Sequence, residues 1–251
     1  MNIGIAIIAT NAYFILGIRF MKKFIRHYKG DKNIKFYFFS DTDPKPYLSD
    51  HIDVQYIQEH HTNWQDGTNS KFKNILSLKN ASSDYLFYFD ADTNINQDFT
   101  EKWFMGELVG GEHYGNSSFL KDGAGFDRNP QSRAYVPLDS TLPYTYYYGA
   151  FFGGKKDRVM EFCKVLKTNQ ELDQAVGYEP PVNDESYINQ YFHFNPPTRT
   201  VPSAEFKFLV SDKGGLGDTR YTNMDISEKR KQILELKEKH FELMNNQLIE
   251  L

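Results

Sequence analysis

Two carboxylates one residue apart, Asp90 and Asp92, close a short apolar run from Tyr85 to Phe89. The run is too short to cross a bilayer and predicts a buried strand. Along an extended chain, side chains at i and i+2 point the same way. The pair can therefore converge on one hard cation, whose preferred ligands are oxygens. In open α/β sheets, ligands bind outside the carboxyl ends of strands. A strand ending in Asp-x-Asp thus has the form of a metal and phosphate site, and equally that of a solvated turn after a core strand. A calcium loop is a third reading, since Asp90, Asp92, Asn94 and Asn96 alternate and Glu101 follows. That loop needs glycine at its sixth position and a helix before it. Ile95 and a strand-like run stand there instead, so it is set aside.

The elements that must position these residues follow from patterning. Ile3 to Ala9 is a continuous apolar run, fit for a strand buried on both faces. Thr10, Asn11 and Ala12 turn the chain into a helix over Tyr13 to His27, with Phe14, Ile18, Phe20 and Phe24 on a helical period. Strands are predicted at Ile34 to Phe39 and Val54 to Ile57, and a helix at about Ser70 to Leu78. This alternation predicts an α/β fold with a mostly parallel sheet. After Asp98, the closely spaced Gly106, Gly110, Gly111, Gly115, Gly123 and Gly125 read as a long loop. An aromatic and glycine run covers Tyr144 to Gly154. Helices are expected at Arg158 to Leu166 and at Asp184 to Phe192, the second capped by Asn183 or Asp184. Ser211 to Tyr221 is polar, glycine-rich and expected to be mobile. Ser227 to Leu248 predicts a charged helix with Ile233, Leu236, Leu243 and Leu248 as its apolar stripe. We therefore expect one domain over 1–226 and a terminal helix over 227–251.

Composition narrows the class. The chain has 251 residues, 40% hydrophobic and 25% charged, as a globular protein with a substantial core requires. With 17 Tyr and 21 Phe, aromatics suit stacking on sugars and serve equally as core. A net charge of −4 gives no basic surface for nucleic acid. The single cysteine, Cys163, excludes an internal disulfide framework and a cysteine zinc site. Met1 to Thr10 lacks a basic flank and a cleavage site, so it reads as a strand and not a signal peptide. No membrane span is expected, and the expected location is cytoplasmic.

Four segments together resemble glycosyltransferase family six, the family of the histo-blood-group transferases. They are Trp64-Gln65-Asp66, then Asp84-Tyr85-Leu86 with Asp90-Ala91-Asp92, then Pro130 to Pro137 with Tyr146 to Gly154, and finally Asp184-Glu185-Ser186 with Asn189 and Tyr191. They occur in the family's order and span roughly Ile3 to Arg220. The chain departs from the pattern where Val182-Asn183 replaces the family's Trp-His, which bears on the acceptor. It keeps carboxylates at 90 and 92 where many bacterial members carry Asn-x-Asn and work without metal.

The resemblance implies a GT-A fold and retaining transfer of galactose or N-acetylgalactosamine from a UDP-sugar. The acceptor would be a β-galactoside-like glycan, joined in α-1,3-type linkage. A UDP-sugar hydrolase, a transferase of another donor, and a non-catalytic carbohydrate- or nucleotide-binding protein are the alternatives. By resemblance, Ile8, Ala9, Thr10 and Tyr13 lie where the family holds uridine, and Trp64 and Lys71 fall near the donor. Lys71 equally reads as a solvated helix lysine. Asp90, Ala91 and Asp92 would sit at a divalent metal, Mn²⁺ first and Mg²⁺ second, which offsets charge on the leaving diphosphate. Lys213 and Arg220 resemble basic residues that fold over the pyrophosphate. Asp184 belongs to the donor site, and Glu185 is the nucleophile or the carboxylate that stabilises an oxocarbenium ion. Without the resemblance, Glu185 reads as an exposed first-turn glutamate favoured by the helix dipole. Tyr148, Gly149 and Ala150 match the positions that separate donors in the blood-group enzymes, and the methyl of Ala150 leans toward galactose.

Overall fold

The computed structural model describes residues 1–11, 13–62, 64–95, 97–113, 125–202 and 209–211. Met1–Val210 form one compact unit. Its centre is a seven-stranded sheet in the order β3-β2-β1-β4-β7-β6-β8. The strands are β1 (Asn2–Ile8), β2 (Asn33–Ser40), β3 (Val54–Gln58), β4 (Tyr85–Phe89), β6 (Leu108–Glu112), β7 (Tyr147–Lys155) and β8 (Arg199–Val201). Pairs β1–β2, β1–β4, β2–β3 and β6–β8 are parallel, while β7 runs antiparallel to both β4 and β6. A separate ribbon pairs β5 (Thr93–Ile95) with β9 (Leu209–Ser211). The helices are α1 (Tyr13–His27), α2 (Trp64–Ser77), α3 (Lys156–Ala175) and α4 (Asn183–Phe194). This is the mixed α/β fold expected from the pattern, with a mostly parallel sheet flanked by helices, consistent with a GT-A-like architecture.

Side chains alternate across the sheet as the pleat requires. Ile3, Ile5, Ile7, Phe36, Phe38, Phe87 and Phe89 pack on the α1 face with Ile18, Phe20, Met21 and Phe24. Ala6, Tyr37, Phe39, Leu86, Tyr88 and Phe152 pack on the other face with Phe72 of α2, Phe162 of α3, and Tyr187 and Phe192 of α4. The period places Tyr88, and Asp90 beyond it, on the side of α2 and α4.

Three elements depart from the sequence expectation. The stretch read as a long glycine loop contains β6. Glycine is depleted from strands, but Gly110 is there because two rings occupy its side-chain space. A Cβ at 110 would stand 2.8 Å from both Phe192 Cε2 and Tyr147 Cδ1. Helix α3 runs to Ala175, well past Leu166. Its buried stripe continues through Gln170 and Asp173, polar residues that a hydrophobicity pattern does not count. Helix α2 begins at Trp64, before Ser70. Asp66 secures that start by accepting hydrogen bonds from the Thr62 amide and hydroxyl.

Overpacking a filled site costs about 1–3 kcal/mol. Gly110→Ala is therefore expected to lower stability in urea by that amount, because neither ring can move without disturbing α4. Unchanged unfolding would show that the ring contact does not govern this strand.

Candidate active site

Strand order reverses beside β1. Strands β2 and β3 lie to one side of it and β4 to the other. The carboxyl ends of β1 and β4 therefore flank the crevice where open α/β sheets bind ligands. At the end of β1, Ala9 is buried, its amide donating to Phe39 O at 2.8 Å and its carbonyl accepting from Ser40 Oγ at 2.7 Å. Ile8 is half-buried, as is Tyr13, whose amide donates to Thr10 O at 3.1 Å to begin α1. Buried Thr10 hydrogen-bonds through Oγ1 to His61 Nδ1 at 3.1 Å, and His61 Nε2 meets Ser70 Oγ at 2.8 Å. His61 thus joins the end of β1 to α2.

Lys71 is buried, which overturns its reading as a solvated helix lysine. Its Nζ donates to Asp184 Oδ2 and to Gly149 O, the latter at 3.0 Å. It lies 3.4 Å from Asp90 Oδ1 and 4.5 Å from the centre of the Tyr88 ring. Burial alone would drive off its proton; the charges of Asp184, Asp90 and Glu185 outweigh burial and hold the ammonium above the ordinary lysine range. Asp184 answers in the opposite sense. Burial raises its carboxyl to about 6, against the pull of Lys71. The Tyr88 hydroxyl donates to Asp90 Oδ1 at 2.7 Å. Burial and the Asp90 charge keep that phenol fully protonated as a donor.

Glu185 is gripped from β7. The Gly149 amide donates to its Oε2 at 2.6 Å, and the Tyr146 phenol hydrogen-bonds to the same carboxylate. Burial raises the Glu185 carboxyl above its usual value, and these two donors partly offset the shift. The grip depends on an irregular strand. Between the pairs Gly110↔Phe152 and Glu112↔Tyr147, β6 advances two residues and β7 advances five. This bulge carries Tyr148, Gly149 and Ala150, and such bulges re-aim groups at a sheet edge. Gly149 turns its amide to Glu185 and its carbonyl to Lys71. A Cβ on it would stand 3.0 Å from Glu185 Cβ and 3.1 Å from Oε2. Asn189 locks α4 to the same strand, accepting from the Tyr147 amide at 2.7 Å and donating to Tyr147 O at 3.0 Å and Glu185 O at 2.8 Å.

Helix α4 is not capped by a side chain as expected. Val182 stands at its N-cap, and Asn183 is held at φ 43. Asp184 is drawn inward by Lys71 and cannot turn back to cap. Asp90 is anchored through its amide to Ala150 O at 3.0 Å. Ala91 and Asp92 are buried, and the Asp92 charge supports protonated Arg19 on α1 against the burial that lowers it. Among the described residues, no group of three or more His, Cys, Asp or Glu stands ready to hold a metal ion. Asp90 and Asp92 offer carboxylate oxygens suited to a hard cation, whose coordination a bound ligand must complete. The calcium-loop reading fails structurally as well: residues 93–95 form β5, and Glu101 accepts from the Tyr28 hydroxyl at 3.0 Å. Tyr148 lies against the ring of His113, with centroids 4.1 Å apart. Trp64 opens α2, and its side chain lies outside the described residues, as do Lys213, Arg220 and the terminal helix expected over 227–251.

Sequence reading left Tyr88, Tyr146 and His61 without a role. Tyr88 was accessible from the strand period, two residues before Asp90. Tyr146 sits in the Tyr146-Tyr147-Tyr148 run, and no pattern distinguishes which phenol turns to Glu185. Only the fold brings His61 to Thr10.

Comparison with known proteins adds an independent line. The family model described as Glycosyltransferase family 6 matches residues 1–232. The chain is 27% identical over 208 residues to histo-blood group ABO system transferase 2 of Rattus norvegicus, covering 80% of this chain and 61% of that protein. It is 26% identical over 210 residues to globoside alpha-1,3-N-acetylgalactosaminyltransferase 1 of Gallus gallus, covering 80% and 60%. It is 28% identical over 166 residues to the O-antigen biosynthesis glycosyltransferase WbnI of Escherichia coli, covering 65% and 70%. The chain thus spans about three fifths of the length of the animal relatives.

Removing the ammonium leaves buried carboxylates without their counter-charge, which costs about 3–5 kcal/mol. A carboxyl whose folded pKa exceeds its unfolded value binds more protons in the fold, so its contribution to stability is lost as pH rises through that window. Lys71→Met raises Asp184 further beyond its present value of about 6. The stability deficit of this variant should therefore be smaller at about pH 5 than at about pH 8. A deficit that does not change with pH would mean that Asp184 is not left charged by the substitution.

Proposed function

The chain belongs to glycosyltransferase family 6, and from that premise we propose that it is a retaining transferase. It moves galactose or N-acetylgalactosamine from a UDP-sugar to a β-galactoside-like acceptor in α-1,3-type linkage. The observation that carries this reading is the grip on Glu185: a carboxylate fixed by the Gly149 amide and the Tyr146 phenol, beside the Lys71 knot that contains Asp90. In the transfer, the bond from the sugar's anomeric carbon to the diphosphate oxygen breaks, and its electron pair leaves with UDP. The acceptor hydroxyl oxygen bonds to the same carbon on the face UDP has left, and its proton passes to the departing diphosphate. Retention requires either a covalent glycosyl-enzyme or front-face attack in an ion-pair-like state, and a carboxylate opposite the leaving group serves both. Glu185 is assigned that place. Its protonated form can serve neither, and burial raises its pKa, so protonation of Glu185 is expected to lower activity in acid. Asp90 and Asp92 would hold a divalent cation, Mn²⁺ or Mg²⁺, together with the diphosphate, and that cation supplies charge neutralisation to the leaving group. The globoside relatives are named for N-acetylgalactosamine transfer, which keeps both donors in the proposal.

The reading is tested by mass spectrometry of products from UDP-galactose and UDP-N-acetylgalactosamine with β-galactosides, with and without Mn²⁺. Transfer is expected with metal, and its loss in excess chelator. Full activity in chelator would remove the cation from the assignment. Glu185→Gln should bind UDP normally and lose about 10²-fold or more in turnover, the scale of a group acting on transition-state charge. Activity of the native protein should fall at a pH above the ordinary glutamate range as pH is lowered. Near-native turnover by the variant would exclude Glu185.

Donor size is read at Ala150, whose backbone is held by the Asp90 amide. One methyl against a bulky acetamide is an overpacking effect of about 1–3 kcal/mol, or roughly 5- to 150-fold. In competition between the two donors, the native protein is expected to favour UDP-galactose, and Ala150→Gly to shift the ratio toward UDP-N-acetylgalactosamine. A ratio left unmoved by the substitution would show that position 150 does not measure the donor.

A further inference from the structure

A second concavity lies on the same edge of the sheet as Glu185. Helix α2 follows β3 and starts at the carboxyl edge of the parallel strands. Strand β7 runs opposite to β4, so α3 returns toward that edge and ends there. Between the start of α2, the end of α3 and the connection into α4 is a cleft of about 190 Å³. Gln65, Asn69, Gln170, Gln174 and Asn183 place five carboxamides around it, Glu179 completes the polar wall, and Tyr178 also lines it. No lysine or arginine is among the described residues that line it.

That lining has a definite chemical meaning. A carboxamide offers a donor and an acceptor together, as does each hydroxyl of a sugar ring. Without a cation in the wall, the cleft suits a neutral ligand and not a phosphate or carboxylate. The wall is also held in place before any ligand arrives. Buried Gln170 donates to Asn69 Oδ1 at 3.0 Å, and Gln65 donates to Glu179. The Tyr178 hydroxyl donates to both oxygens of Asp127, at 3.0 and 2.9 Å, which leaves its half-buried ring as the apolar part of the wall. Asn183 immediately precedes Asp184 and Glu185, so the cleft adjoins the reacting groups through the backbone of α4.

We propose that this cleft is a saccharide subsite that binds one neutral sugar unit of the acceptor glycan, beyond the unit that receives the transferred sugar. It rests on the transfer reading above and assigns that site a preference for extended acceptors. None of Gln65, Asn69, Gln174 or Tyr178 has a part in bond breaking, so the effect falls on acceptor affinity.

The test uses the full chain, with methyl β-galactoside and with neutral tri- and tetrasaccharides ending in β-galactose. Gln174 is exposed on α3, so Gln174→Ala should fold normally; Asn69→Ala is the second variant. With the extended acceptors, each should raise KM by about tenfold, as expected for losing one or two neutral hydrogen bonds, with kcat unchanged. With methyl β-galactoside neither should change KM. Equal losses on short and long acceptors, or no loss on either, would overturn the subsite. Saturation-transfer NMR with the tetrasaccharide gives a reading that needs no turnover. Signal from an internal sugar, reduced in Gln174→Ala, supports the subsite even if no donor is transferred. Signal from the terminal galactose alone would overturn it while leaving the transfer reading intact.

Discussion

One buried ammonium holds the site together. Lys71 reaches from α2 to Asp184 on α4, to the carbonyl of Gly149 on β7, and to the face of Tyr88 on β4, with Asp90 within ion-pair distance. Four elements are thereby joined through one atom. A lone buried lysine sheds its proton, and lone buried carboxylates take one up. Here each makes the other's charge tolerable. Such a cluster is not necessarily more stable than a well-packed apolar one. Its effect is to fix which of these polar groups face one another, and so to set Glu185 and Asp90 at one place on the sheet edge.

The backbone of β7 carries the second half of this arrangement. A regular strand spends its amides and carbonyls on its neighbours. At the bulge, Gly149 spends them on Glu185 and Lys71 instead, and the lost ladder bonds become the seat of the site. Asn189 replaces part of what the bulge gives up by pairing with both backbone groups of Tyr147. Farther out, Asp173 of α3 accepts from Ser132 Oγ, the Arg133 amide and the Tyr187 hydroxyl. One carboxylate thus binds the Pro130–Pro137 segment to α3 and α4.

The sheet was legible because its signal is hydrophobic and periodic. The runs Ile3–Ala9, Ile34–Phe39 and Tyr85–Phe89 mark strands by themselves, and the pair Asp90 and Asp92 marks where the last of them ends. The rest was hidden for separate physical reasons. Strand β6 carries Gly110 because the rings of Phe192 and Tyr147 fill its side-chain space. The far half of α3 buries Gln170 and Asp173, polar residues whose partners come from distant parts of the chain. Lys71 reads as any surface lysine until Asp184, more than a hundred residues later, is folded against it. The motif resemblance located Glu185, but not the amide and phenol that hold it.

Gly149 has a consequence for how this protein can change. Its peptide groups hold the Glu185 carboxylate and the Lys71 ammonium, while its neighbours on either side are the residues proposed to measure the donor. The proposed assignments would therefore place selectivity and rate on one short piece of backbone. Under the proposed roles, a substitution at 148 or 150 that reshapes the pocket would also strain the grip on Glu185, so a change of sugar here would cost speed until other residues readjust. Walls that do not share this strand can vary without that penalty. If the proposed subsites hold, diversification would be freer among the carboxamides of α2 and α3 than on the strand assigned to the donor.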